Sequence, residues 1–416
     1  MPKNPPMVQD IRIEDYTYSL PEDRIARYPL AQRDDSKLLV FTEGSGRVPE
    51  NRKFRDLADY LPPHSLMVFN NTKVVPARLF FKKDTGALIE VFCLEPAEPQ
   101  DYEQCFATTA TCRWKVIVGN VKRWKQGRIK LYVDTDNPQR NLLEQMDLQA
   151  ELVERGATSV VAFSWQGGWS FSQVMEHCGR IPIPPYLKRD TEAIDLERYQ
   201  TWYALREGSV AAPTAGLHFT QRELDAIDAK GITRMNLCLH VGAGTFLPVK
   251  SETIGDHTMH SEPFSVSRSF LEQLRDKGER PLTAVGTTST RCLESLYFLG
   301  VHCIERGEPG VVGQWEPYRD VGYAYSLSES LSALLHYMED TGQAELTSRT
   351  QIIIVPGYTF RVIDYLVTNF HQPQSTLLLL IGAFVGESWH SIYDFALAND
   401  FRFLSYGDSS LLQKYS

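Results

Sequence analysis

The sequence predicts a mixed α/β protein whose large α/β domain is interrupted by a smaller all-β one, on three observations. Strand-like runs alternate with helical ones through most of the chain, the pattern left by parallel strands joined through helices. One stretch breaks that pattern: residues 79 to 133 hold "ALIEVFCLE", "WKVIVGNV" and "GRIKLYV", short β-branched or aromatic runs parted by Gly and Asn turns, and "TSVVAFSW" continues them. The length, 416 residues with 43% hydrophobic and 23% charged, exceeds one typical domain and fits a globular protein of two or three.

Taken in order, the N-terminus "MPKNPPMVQDIRIEDY" lacks an apolar signal core, and no apolar run reaches about 18 residues, so a cytoplasmic protein without a membrane span is expected. The all-β module is placed at 76–166, an insertion that splits the α/β domain into 1–75 and 167–416. In the second part "GITRMNLCLHVG" reads as a strand ending in a glycine-bearing loop, and "PLTAVGTTSTRCLESLYFLG" as strand, small-residue loop and helix. "TQIIIVPG" reads as a further strand, and "STLLLLIGAF" as a buried helix capped by Ser375, whose hydroxyl suits the first free amides. Residues 301–347 form an extra peripheral segment with one short amphipathic helix, "SLSESLSALLHYMED".

Composition removes several classes of function. Seven scattered cysteines without a CxxC pair argue against a disulfide framework and a cysteine zinc site. No GxSxG elbow, no P-loop and no dinucleotide fingerprint is present, because "LHVGAGTF" puts Phe246 and Leu247 where a third glycine would stand. His257 and His260 precede Glu262, but HxxH is not HExxH, and acid–base work or substrate hydrogen bonding suits them better than a metal. A net charge of −9 leaves no global footprint for nucleic acid. Locally one exists: Gln104 to Val133 contains no acidic residue, while Arg113, Lys122, Arg123 and Lys125 fall there with Trp114 and Trp124. Basic groups beside flat rings suit looped RNA; a solvated hairpin face is the other reading.

Four loops set glycines and hydroxyls beside reactive side chains just after an apolar strand. They are "AAPTAGLHFT", "LHVGAGTFLPV", "VGTTSTR" and "VTNFHQPQST". Ligands of open α/β sheets gather beyond the carboxyl ends of the strands, so one cleft is expected to hold all four. In the first, Gly216 can take positive φ and Pro213 fixes a torsion, so the stretch is either a turn shaped to aim Thr214 and His218 at a ligand or a tight interdomain turn with an ordinary hydrogen-bonded histidine. "GTTST" either cradles an anion on its amides or simply caps a helix, and Arg291 either clamps that anion or lies on the surface. "NDFRFLSYGDSSLL" offers Arg402, Tyr406 and Asp408, or is only an edge strand with a turn.

As a set these segments closely resemble the S-adenosylmethionine:tRNA ribosyltransferase-isomerases of queuosine biosynthesis. The likeness runs in order through "LPEDRIARYPLAQRDDSKLLV", "FNNTKVVPARLF", "GRIPIPPYLKR", "RYQTWYA", "GSVAAPTAGLHFT", "LHVGAGTF", "HTMHSEPF", "AVGTTSTRCLES", "PGYTFRVIDYLVTNFHQPQSTLLLLIGAF" and "DFRFLSYGD", nearly the whole chain. It implies a large barrel-like α/β domain carrying a smaller inserted β-barrel. The implied reaction moves the ribosyl unit of S-adenosylmethionine onto 7-aminomethyl-7-deazaguanine at the tRNA wobble position. Rearrangement gives epoxyqueuosine, and adenine and methionine leave. No permanently bound cofactor and no metal is implied; the partners are S-adenosylmethionine and the anticodon stem-loop of a tRNA with a GUN anticodon, and the protein is expected to be a monomer.

On that resemblance His218 and His371 are the expected acid and base, with Asp364 and Asp408 as orienting carboxylates. Gly242, Gly244, Thr245, Thr287 and Thr288 are expected with Arg291 around the methionine carboxylate and ribose, and Asn369 at a base edge. Thr214, His240, His260, Glu262, Arg402 and Tyr406 complete the expected substrate set. Lys73 and Arg78 lead into the β module, whose Arg113, Trp114, Lys122, Arg123, Trp124 and Lys125 are expected to meet tRNA. The chain departs from the family pattern in roughly 40 extra residues before "TQIIIVPGY" and in Gln372 beside His371. Two other readings stay open: an S-adenosylmethionine-dependent tRNA methyltransferase, disfavoured by the missing glycine-rich loop and acidic ribose ligand, and a non-catalytic RNA-binding protein.

Overall fold

A computed structural model describes residues 8–156, 158–242, 249, 251–319 and 325–415. Gly244 and Thr245 of the expected site lie outside the described residues. The main body is a nine-stranded mixed sheet. Its centre is four parallel strands in the order Thr233–Leu239, Leu66–Asn70, Leu282–Val285 and Tyr365–Asn369. Leu66–Asn70 reads "LMVFN" with every residue buried, the continuous apolar run expected of a parallel strand covered on both faces. Parallel pairing points four carboxyl ends the same way, so the loops after Asn70, Leu239, Val285 and Asn369 emerge along one rim. That rim is where the site forms.

Further strands extend the sheet on both sides, all paired antiparallel except Lys37–Phe41, which runs parallel to Ser409–Gln413. Glu262–Ser267 and Glu345–Thr350 flank Thr233–Leu239, while Ser409–Gln413, Lys37–Phe41 and Glu50–Lys53 follow Tyr365–Asn369. Ser409–Gln413 is thus an interior strand, not an edge. "TQIIIVPG" also differs from its expected strand. Glu345–Thr350 takes the ladder position, and beyond Gln351 the residues Ile352 to Val355 run buried, with the Gln351 and Ile353 amides donating to the carbonyls of Val312 and Gln314 at 3.1 and 3.3 Å. The expected helices are present: Thr287–Arg306 follows its strand directly, and Ser375 caps Thr376–Val385 by accepting the Leu378 amide at 3.2 Å.

The inserted all-β part is a closed barrel of six antiparallel strands between Arg78 and Ser164, and it alone of the two large sheets closes on itself among the described residues. Period-two alternation decides which way its side chains point. In Thr111–Val118, Cys112, Trp114 and Val116 are buried and Arg113 and Lys115 are exposed. Trp124 is buried too, its indole N–H donating to the Gly127 carbonyl at 2.9 Å. Both tryptophans therefore fill the barrel core and cannot stack on RNA, which corrects that expectation. Around the outside Arg113 pairs with Glu98, Arg78 with Glu90 and Lys73 with Glu207, at 2.7, 2.6 and 3.0 Å. Among the described residues no carboxylate lies within ion-pair reach of Lys122, Arg123 or Lys125, exposed at one end of the barrel.

Candidate active site

A cavity of about 200 Å³ opens at the rim of the parallel strands. Three of the four anticipated loops supply its wall, through Thr214, through Thr287, Thr288 and Arg291, and through Asn369 and His371. Of the fourth, Val241 lines it. A further segment, His257 to His260, closes one side, and Tyr186, Tyr199 and Ser405 close another. Tyr186 and Tyr199 went unrecognised as lining residues, although "IPPYLKR" and "RYQTWYA" stood among the telling segments.

The turn Thr214–Gly216 is built differently from the expectation. Gly216 does not take positive φ. It is glycine because the Tyr203 hydroxyl would stand 2.0 Å and the Thr201 methyl 2.8 Å from a Cβ there. That close approach presses residues 211–215 against the rim.

On the far side Gly286, at φ +90°, ends its strand and opens the long helix Thr287–Arg306 straight into the cavity. Among the described residues no side chain caps this helix, so its first-turn amides and the Thr287 and Thr288 hydroxyls face whatever occupies the cavity. Arg291, one turn in, is not a free clamp. It donates to Glu262 at 2.6 Å and to the Ile352 carbonyl at 3.1 Å. Glu262 also accepts the Gly242 amide at 3.3 Å and lies 3.0 Å from His260 Nε2, though not in hydrogen-bond alignment. Burial would raise the Glu262 carboxyl, but His260 and Arg291 outweigh it and hold the pKa at about 2. Arg291, Glu262 and Gly242 thus form a neutralised strut behind His260.

The histidines separate into three environments. His371 reaches the cavity, with Nε2 2.9 Å from the Thr368 hydroxyl, and burial depresses its pKa to about 3. With the Thr368 hydrogen turned toward the Asn369 carbonyl at 3.4 Å, the ring donates from Nε2 and keeps its Nδ1 lone pair. His218 stands behind the wall. Its Nδ1 meets the Ser36 hydroxyl at 2.9 Å and its Nε2 meets Asn369 Oδ1 at 3.4 Å, and burial brings its pKa to about 4. Both nitrogens are engaged, so His218 orients Asn369 and is not a proton carrier to the cavity. Asn369 is in turn spent on protein partners, its amide donating to the Leu404 carbonyl at 2.9 Å.

Other expected residues also lie elsewhere. Asp364 sits at the opposite end of its strand from Asn369, accepting the Leu282 amide at 3.0 Å and facing Lys414 at 3.3 Å. Asp408 accepts the Lys37 and Arg402 amides at 2.9 and 2.7 Å, which folds the C-terminal turn. Arg402 follows Asp408 at 3.3 Å, and the Tyr406 hydroxyl donates to buried Asp195 at 2.8 Å. These three hold the scaffold. His240 lines a separate groove of about 1010 Å³ between barrel and sheet, stacked on Tyr102 with ring centroids 4.1 Å apart.

Fold and site together define an α/β protein with an inserted barrel, whose cavity at the strand ends, walled more by apolar than by polar surface, holds an uncharged imidazole and an open helix terminus. The chain belongs to the queuosine biosynthesis protein family, whose model matches residues 13–412. It is 37% identical over 406 residues to the S-adenosylmethionine:tRNA ribosyltransferase-isomerase of Halothermothrix orenii, covering 97% of this chain and 100% of that one. The protein of the same name from Pelodictyon phaeoclathratiforme is 38% identical with the same coverage. The solved S-adenosylmethionine tRNA ribosyltransferase of Thermotoga maritima aligns over 96% of this chain and 99% of that one, at 27% identity and a TM-score of 0.45.

Proposed function

We propose that this chain is an S-adenosylmethionine:tRNA ribosyltransferase-isomerase, which moves the ribosyl unit of S-adenosylmethionine onto 7-aminomethyl-7-deazaguanine at the tRNA wobble position and releases adenine and methionine. The observation that carries the reading is the placing of His371 beside an open helix N-terminus in one cavity. A proton next to a sulfonium needs a base that is unprotonated at neutral pH, and the depressed His371 supplies one. The methionine carboxylate takes the helix end, held by the first-turn amides with Thr287 and Thr288. His260 and His257, on the wall opposite, are the groups placed to protonate departing adenine, and Thr214 borders the ribose.

The β-barrel, residues 76–166, is the tRNA-docking unit in this reading, through Lys122, Arg123 and Lys125 and not through tryptophan stacking. The tRNA carries a GUN anticodon, the protein acts as a cytoplasmic monomer, and the reaction calls for no metal ion.

The test is to incubate the protein with S-adenosylmethionine and precursor-bearing tRNA. Release of adenine and methionine with formation of epoxyqueuosine supports the proposal. S-adenosylhomocysteine as product would make it a methyltransferase instead.

A further inference from the structure

The wall segment His257 to His260 belongs to no helix or strand, yet it forms part of the cavity. Its backbone is held by side chains reaching in from elsewhere. Gln314 donates from Nε2 to the His257 carbonyl at 2.7 Å and accepts the Met259 amide on Oε1 at 2.9 Å. Gln351 donates to the Met259 carbonyl at 2.7 Å. Two of these three bonds thus come from one amide side chain, and that side chain lies within residues 301–347, the segment expected to be peripheral.

Those residues are firmly anchored on either side of Gln314. Near the end of the long helix, His302 is buried with Nδ1 2.6 Å from the Pro309 carbonyl and Nε2 on the Glu316 carboxylate. Both partners are acceptors, so the ring donates twice, and Glu316 raises its pKa against the opposing effect of burial. Glu316 accepts the Gly313 amide at 3.0 Å as well, closing the turn that carries Gln314. On the other face the Tyr318 hydroxyl donates to the Ile353 carbonyl at 3.0 Å and accepts the Val355 amide at 2.9 Å. The helix that begins at the cavity with Thr287 therefore ends by fastening the segment that returns to the cavity.

We infer that residues 307–319 are a brace for the wall of the S-adenosylmethionine cavity, with Gln314 as its positioning residue. This rests on the function proposed above. A peripheral decoration would leave the cavity untouched; this segment fixes the backbone from which His257 and His260 project. It does so without touching substrate, so its loss weakens binding by loosening the wall.

The experiment uses the full chain as Gln314→Ala and Gln314→Glu beside the unaltered protein. In Gln314→Ala the amides of residues 256–261 should exchange with deuterium roughly tenfold faster at a nearly unchanged thermal midpoint. The KM for S-adenosylmethionine should rise roughly three- to thirtyfold, the span expected for hydrogen bonds lost from a binding wall, with a smaller fall in kcat because His257 and His260 sit on the loosened segment, and with tRNA affinity nearly constant. Gln314→Glu keeps the acceptor for the Met259 amide and should fall between the two. Unchanged exchange at 256–261, or faster exchange spread evenly over the molecule, would overturn the brace. If the unaltered protein does not consume S-adenosylmethionine, the functional reading fails, while the exchange measurement still decides whether the segment braces the loop.

Discussion

His371 and His218 show how one residue type serves two ends in neighbouring positions. Each is buried and uncharged, but only His371 leaves a ring nitrogen without a partner among the described residues, and only it lines the cavity. His371→Gln should therefore lower kcat by roughly 10² to 10⁴ with little change in S-adenosylmethionine binding. His218→Gln should cost stability through the lost Ser36 and Asn369 bonds and lower kcat less; equal losses of kcat in the two variants would contradict the assignment. Gly216 gives a second test at this scale. Gly216→Ala drives a methyl into the Tyr203 hydroxyl and should destabilise the fold by roughly 1–3 kcal/mol. Tyr203→Phe removes a hydroxyl that has no hydrogen-bond partner among the described residues, so adding it should restore part of that loss in chemical denaturation. No restoration would mean that the Thr201 methyl sets the limit.

At the scale of elements, the barrel separates charge from stacking. Its alternation puts tryptophans inside and cations outside, and most of those cations are paired at the surface, where pairs contribute little to stability. Trp114→Ala should destabilise the barrel by roughly 3–5 kcal/mol, measured as a lowered unfolding midpoint. Replacing Lys122, Arg123 and Lys125 together should leave that midpoint unchanged and weaken tRNA binding, with a salt dependence shallower by roughly two to three. Unchanged tRNA affinity at matched salt would remove the barrel end as the docking surface. The alternation was legible in "TCRWKVIV", where Cys112, Trp114 and Val116 fall on every second position before exposed Ile117 interrupts the pattern, yet the basic run drew Trp114 and Trp124 onto the wrong face. What the basic run lacked was the acidic partners, since Glu90 and Glu98 sit on the preceding strand outside it and Glu207 comes from the body.

Across the whole molecule the architecture and the gathering of loops follow from readable signals: apolar strands ending in small-residue turns, and a β-rich interruption between them. Side-chain direction at the rim was not readable. The spacing of His218, Asp364, Asp408, Arg402 and Tyr406 says nothing about which face of a turn each occupies, and tertiary packing assigned all five to support. Gln314 carried no motif. Two buried histidines, His218 and His371, with the half-buried His240 make a global prediction, opposed in part by buried His302, whose pKa Glu316 raises. Burial depresses His218, His240 and His371 to about 4, 4 and 3, so the unfolded chain binds their protons first as the medium turns acid. The stability they contribute is complete above about pH 6.5 and is lost as pH falls toward those folded values. Denaturation midpoints should drop between about pH 7 and pH 5, before most carboxylates titrate; a flat profile there would contradict uncharged burial of these rings.

The central claim is that one cavity between the helix start at Thr287 and the ring of His371 receives the sulfonium donor. A structure of the chain with a non-reacting analogue of S-adenosylmethionine and an anticodon stem-loop tests it most directly. The analogue's carboxylate should lie on the amides following Gly286, its sulfur-equivalent centre should face His371, and the flipped base should share the same chamber. An analogue seated instead in the groove beside Tyr102 and His240 would contradict it.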